Sequence, residues 1–116
     1  MKRRLRSFLY AFRGLNFLFR GQPNAWIHLT AAIGVIIAGF LCHLSSIEWG
    51  VIIFAIGLVF SAELFNSAIE ELVNKVSPEF HPLAGKVKDL AAGAVLVAAI
   101  TAAIIGAIIF LPKLIT

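Results

Sequence analysis

The sequence predicts an all-α membrane protein, an N-terminal amphipathic surface helix followed by three transmembrane helices. Three observations carry that expectation. Of 116 residues, 60% are apolar and only 14% charged, where soluble domains average about 45–50% and about 25%. The apolar residues gather into three long runs, and a spanning helix needs about 20 of them in succession. Six of the ten basic residues, Lys2, Arg3, Arg4, Arg6, Arg13 and Arg20, crowd into the first 20 positions. The length allows one domain, 1–116. These numbers exclude disorder and collagen-like architectures. The single cysteine, Cys42, excludes an internal disulfide framework or a cysteine-based metal site and reads as a small packing residue.

The surface helix is expected over 2–20. Leu5, Phe8, Leu9, Phe12, Leu15 and Phe19 recur at helical spacing, with arginines on the flanks. That pattern suits a helix lying in the headgroup layer. Arg13 and Arg20 interrupt the run and no small-residue cleavage site follows, which argues against a signal peptide. Gly21-Gln22-Pro23-Asn24 is a turn cluster leading to the first span, 26–44. The second run is purely apolar for only about 14 residues before Glu63, too few to span. Helical spacing continues through Leu64, Phe65, Ala68, Ile69, Leu72 and Val73 without Gly or Pro, so one long helix over 49–76 is expected in place of a re-entrant segment. The third span is expected over 87–111. With the N-terminus in the cytoplasm, Lys75, Lys86 and Lys88 join the six basic residues of 2–20 inside, and only Lys113 lies outside.

Polar residues within the second span hold the chemistry. At about 100° per residue, Glu63, Asn66, Glu70 and Asn74 share a sector roughly 80° wide, with Ser67 at its edge and Glu71 pointing elsewhere. Carboxylates inside a membrane helix cost roughly 2.5–3.5 kcal/mol each on insertion scales and mark functional sites. The stripe predicts a metal site, a proton-handling site, or both. A hydrogen-bonded packing seam is the simpler reading, but Ser, Thr or Asn would serve a seam without ionisable groups. Beyond the turn at Ser77-Pro78, Lys86, Lys88 and Asp89 open the third span at the membrane surface. Lysines there can neutralise phosphate oxygens, or merely snorkel to the interface. No P-loop and no kinase glycine loop is present. His28 is expected at the interface and His43 in the outer loop.

Glu63-x-x-Asn66-Ser67-Ala68-Ile69-Glu70, then Glu79-Phe80-His81, then Ala84-Gly85-Lys86-Val87-Lys88-Asp89-Leu90 resemble the bacterial diacylglycerol kinase family, which includes the undecaprenol kinases. The resemblance covers nearly the whole chain. It implies a homotrimer of three-span subunits, with composite sites between neighbours, in the bacterial inner membrane with the active site on the cytoplasmic side. Such enzymes move the γ-phosphate of MgATP to a lipid hydroxyl. By match of position, Glu63 resembles the general base, Asn66 a polar residue beside it, and Glu70 the Mg²⁺-binding carboxylate. Glu79, His81, Lys88 and Asp89 resemble nucleotide contacts, and Arg3 and Tyr10 resemble ATP contacts from the surface helix. Gln22 stands where the family commonly has a second metal-binding Glu close to the nucleotide, and Asn74 where the motif ordinarily ends in Asp. An amide oxygen still ligates Mg²⁺ but brings no charge. Phe80-His81-Pro82-Leu83-Ala84 and His28 look closer to the undecaprenol kinase branch, with diacylglycerol the alternative acceptor.

Two other classes compete. A small proton-coupled transporter would carry its carboxylates near the bilayer midplane on repeated helices. Here they crowd towards one face. A non-catalytic adaptor would not need Glu63 with Glu70, or Lys88 with Asp89.

Overall fold

The structure, a computed structural model, describes residues 1–115. Four helices follow in chain order: α1 (Lys2–Gly21), α2 (Pro23–Leu41), α3 (Ser46–Val76) and α4 (Pro82–Ile115). The last three are long and apolar enough to cross a membrane. The segment around Glu63 belongs to one uninterrupted helix of 31 residues, with no re-entrant break.

Helix ends differ from the expected ones for local reasons. The first span starts at Pro23 and not 26, because proline lacks the N–H that the first helical position would leave unpaired. It stops at Leu41 and not 44. Leu44 N–H bonds the Gly39 carbonyl at 3.2 Å and His43 N–H the Phe40 carbonyl at 3.4 Å, with His43 at φ 56°. That is a Schellman stop with histidine in the place glycine usually takes. The second span starts at Ser46, ahead of 49, because a capping box precedes it. Ser45 Oγ accepts from Glu48 N–H at 3.2 Å and the Glu48 carboxylate accepts from Ser45 N–H at 2.9 Å. The third span runs over 82–115 and not 87–111. Pro82 opens it and His81 Nδ1 accepts the Leu83 N–H at 3.1 Å, an N-cap contact from an imidazole. Lys86, Lys88 and Asp89 therefore stand on the first turns of α4.

Most packing lies between α3 and α4, which form an antiparallel hairpin, while α2 leans more lightly on α3. At the far end of the hairpin Leu44, Ile52 and Ile109 form the buried core, and the Lys113 ammonium meets the Glu48 carboxylate at 3.2 Å. Molecular extents of 55 × 42 × 20 Å leave no room for a thicker core. Large apolar side chains consequently face outward, Phe54 at 70% and Ile108 at 67% exposure, as in helices that meet lipid. The surface helix is held at its C-terminal end. Trp26 Nε1–H donates to the Phe19 carbonyl at 2.7 Å, and the Phe19 ring meets Trp26 edge-on, at 5.2 Å between centroids. Its other residues Leu5, Phe8, Leu9 and Phe12 are exposed, as a helix immersed in headgroups requires.

Gly39 is the most closely packed of the glycines. A Cβ there would lie 2.6 Å from the Trp49 ring and 3.0 Å from Leu44 Cδ1. Gly39→Ala should destabilise the α2–α3 turn by about 1–3 kcal/mol, the usual range for overpacking, whereas Gly34→Ala, with nothing within 4 Å, should not. Thermal unfolding of both variants in one detergent checks this, and equal midpoints would contradict it.

Candidate functional site

Helix length sets the level of each polar group. Glu48 and Glu70 lie 22 residues apart on α3, about 33 Å along its axis, which matches a hydrocarbon core of about 30 Å. The Glu48–Lys113 pair thus marks one membrane face and Glu70 the other. Glu63 stands about two turns inside Glu70, within the apolar layer.

Glu63 is 1% exposed, and His28 Nε2 of α2 lies 3.0 Å from its Oε1. An ionised carboxylate buried alone in this layer would be prohibitively costly, so this hydrogen bond is what makes the position tolerable. The His28 ring is 21% exposed and stands edge-on to Phe60, with centroids 6.5 Å apart. His28 therefore belongs to the polar cluster and is not merely an interfacial residue. The periodicity that singled out the α3 stripe contains no sign of it. A lone histidine in an apolar run was the available signal.

Two turns nearer the water, Gln22 Nε2–H donates to Glu70 Oε2 at 3.1 Å. The turn before α2 brings Gln22 there, 48 residues away in sequence. Between these levels the Asn66 amide oxygen and the Ser67 hydroxyl are buried with no hydrogen-bond partner among the described residues. Further out, the Lys88 ammonium of α4 donates to the Asn74 amide oxygen. Glu63, Asn66, Glu70 and Asn74 thus form a ladder, and three of its four rungs, all but Asn66, meet a side chain of another segment.

Other expected site residues stand apart. Tyr10 is exposed and carries the Arg13 guanidinium 5.6 Å from its ring centroid. Arg3 offers its carbonyl to Ser7 within α1. His81 caps α4, and the Glu79 carbonyl accepts from Ser77 Oγ. Asp89 lies exposed beside Lys88 on α4. Among the described residues, no hydrogen bond or ion pair joins Arg3, Tyr10, Glu79, His81 or Asp89 to Glu63 or Glu70. Nor does any group of three or more His, Cys, Asp and Glu side chains among them have metal-binding geometry.

Two cavities lie beside α3. One of about 220 Å³ runs between α2, α3 and α4, and His28 is the polar residue in a lining of Ala, Val, Ile, Gly and Phe. A wider one of about 710 Å³ opens between α1 and α3, where Arg20, Gln22, Ser67 and Glu71 face Phe17 and Leu64. Glu71, off the stripe, lines that opening.

Fold and site together define a three-span membrane protein with a buried carboxylate at one edge of the bilayer and an amide–carboxylate pair above it. The chain belongs to the prokaryotic diacylglycerol kinase family, which it matches over residues 9–110. It is 48% identical over 114 residues to the undecaprenol kinase of Bacillus subtilis, covering 98% of this chain and 93% of that protein. It is 42% identical to a diacylglycerol kinase of Synechocystis over 95% of this chain and 63% of that longer protein. To the diacylglycerol kinase of Escherichia coli K12 it is 32% identical, with 84% and 86% covered.

Proposed function

We propose that this chain is a lipid kinase that moves the γ-phosphate of ATP to the hydroxyl of undecaprenol. In this reading it works at the cytoplasmic face of the bacterial inner membrane, as a homotrimer with sites shared between neighbours. The observation that carries it is the two-level arrangement on α3, with Glu63 buried against His28 and Glu70 held by Gln22 nearer the water. A lipid hydroxyl comes from the bilayer and a nucleotide stays in water, so the reaction needs a group at each level.

Glu63 takes the proton of the lipid hydroxyl. The freed oxygen forms a bond to the γ-phosphorus, and the bond from phosphorus to the bridging oxygen breaks to leave ADP. Phosphoryl transfer needs positioning and charge neutralisation more than covalent help from the protein. Asn66, with an unpartnered amide oxygen one turn above Glu63, is suited to accept from the incoming hydroxyl or from ordered water. Lys88 brings positive charge to the phosphates, and Asp89, Glu79 and His81 at the α4 start contact the nucleotide.

The donor chemistry of Gln22 and Glu70 fits Mg²⁺. Gln22 turns its N–H to Glu70 here; with the amide rotated so that its oxygen faces the carboxylate, the pair would supply two hard oxygen ligands and leave the remaining octahedral positions to water and phosphate, as this ion prefers. When bound, the ion would neutralise charge on the phosphate oxygens. Arg3 and Tyr10 are exposed and make no hydrogen bond or ion pair to Glu63 or Glu70 among the described residues, which supports a site completed by the surface helix of a neighbour.

Identity with the Bacillus subtilis undecaprenol kinase supports that lipid as the acceptor. So does the cavity walled in part by His28, the partner of Glu63, where no other lining residue is polar. A polyprenol is apolar up to its hydroxyl. Diacylglycerol carries ester carbonyls next to it, and that lining offers them few hydrogen-bond donors.

Purified protein in proteoliposomes, given labelled MgATP and each lipid alcohol in turn, tests the reading. Undecaprenol should be phosphorylated with a kcat/KM at least about tenfold above diacylglycerol, the scale of discrimination an apolar pocket achieves. A preference for diacylglycerol would reassign the acceptor, and no label in either lipid would remove the kinase reading. A second expectation concerns Gln22. Adding a formal charge near the metal is worth about 1 kcal/mol or more, so Gln22→Glu should lower the half-maximal Mg²⁺ concentration about fivefold at fixed ATP. An unchanged midpoint would place residue 22 outside the metal site.

A further inference from the structure

Glu63 has two carboxylate oxygens, and the structure records a partner for one of them. His28 Nε2 lies 3.0 Å from Oε1. If Glu63 is to accept a proton it must be ionised, and an ionised carboxylate only accepts hydrogen bonds. Nε2 must then carry the hydrogen, and the histidine donates. One oxygen is thereby fixed and the other left as the acceptor for an incoming hydroxyl.

The surroundings of His28 fix its ring as well. It stands edge-on to Phe60, whose ring lies 6.0 Å from Phe19 between centroids, and Phe19 in turn meets Trp26 at 5.2 Å. The imidazole is thus placed by an aromatic row that also ties α1 to α2. On its other side His28 forms part of the wall of the apolar cavity between α2, α3 and α4. A lipid reaching Glu63 from that cavity passes the imidazole. Helix α2 packs on α3 more lightly than α4 does, so this hydrogen bond is a principal polar tie between the two helices at the level of the site.

We infer that His28 is a positioning residue for phosphoryl transfer, holding the Glu63 carboxylate with one oxygen engaged and the other turned to the lipid hydroxyl. The inference rests on the reading of Glu63 as the proton acceptor. Removing the imidazole releases both oxygens and leaves Glu63 to rotate or to protonate, which slows the chemical step without touching nucleotide contacts. Positioning partners of this kind typically contribute about 10–100-fold.

The test compares His28→Ala, His28→Gln and Glu63→Gln in the same proteoliposomes, with kcat and the KM for MgATP measured separately. His28→Ala should lose about 10–100-fold in kcat with the KM for MgATP unchanged within about twofold. His28→Gln keeps an N–H within reach of the carboxylate and should recover much of that loss. Added imidazole should raise the rate of His28→Ala but not of Glu63→Gln, a response that a purely structural role would not produce. An inactive Glu63→Gln together with a fully active His28→Ala would overturn the His28 assignment alone. Loss of activity in His28→Ala that neither imidazole nor the Gln variant relieves would also overturn it. An active Glu63→Gln would instead remove the proton-acceptor reading on which the inference stands.

Discussion

A carboxylate buried in the apolar layer of a membrane must have a partner, and the rest of this architecture follows from supplying one to Glu63. Its ionised form alone in hydrocarbon would cost more than a small membrane protein can absorb. His28 meets it at 3.0 Å. That contact requires α2 and α3 to approach near one membrane face, and so fixes where the turn Gln22–Pro23 falls and where α1 must leave the bilayer. The Trp26–Phe19 hydrogen bond and the Phe19–Phe60 contact hold α1 at that place. Gln22 then reaches Glu70 as a consequence of the same geometry.

The two ends of the α3–α4 hairpin are built for different tasks. The far end is closed by a capping box, a helix stop tight against Gly39, a small apolar core and the Glu48–Lys113 pair. There Glu48 is held twice, by the Ser45 N–H and by the Lys113 ammonium. The near end keeps a buried amide oxygen and a buried hydroxyl unpartnered among the described residues, and a wide cavity opens there between α1 and α3. Unsatisfied buried groups are scarce in stable structures and concentrate where a ligand or another chain completes them. Rigidity at one end and incompleteness at the other is what a membrane enzyme needs, with its scaffold fixed and its site open to lipid and nucleotide.

Much of this was legible in the sequence. Charge counts, apolar runs and the 3.6-residue period identified the surface helix, the three long helices and the polar stripe on α3, because each depends on local spacing alone. Helix ends were less legible. Leu44 extended the apolar pattern past the true stop, since histidine in a left-handed conformation at position 43 carries no compositional signal. The expected start at 87 left Pro82 outside the third span, whereas it begins α4, with His81 as the cap. The His28–Glu63 contact joins residues 35 positions apart, and periodicity along one helix does not say which face of another it meets. The family resemblance linked Gln22 with Glu70, and the structure brings the two side chains together. The contributions proposed for Arg3 and Tyr10 depend on a neighbouring subunit, which no single chain contains.

In the proposed mechanism labour divides along α3, with chemistry at the level of Glu63 and metal-nucleotide binding at the level of Glu70. The most direct test is MgATP affinity, read by equilibrium binding, alongside kcat for Glu63→Gln and Glu70→Gln. Glu63→Gln should bind MgATP within about twofold of the parent protein yet turn over at least about 100-fold more slowly, the usual contribution of a general base. Glu70→Gln should instead lose MgATP affinity. Equal losses of affinity in both variants, or a Glu63→Gln protein that still phosphorylates lipid at the parent rate, would contradict that division.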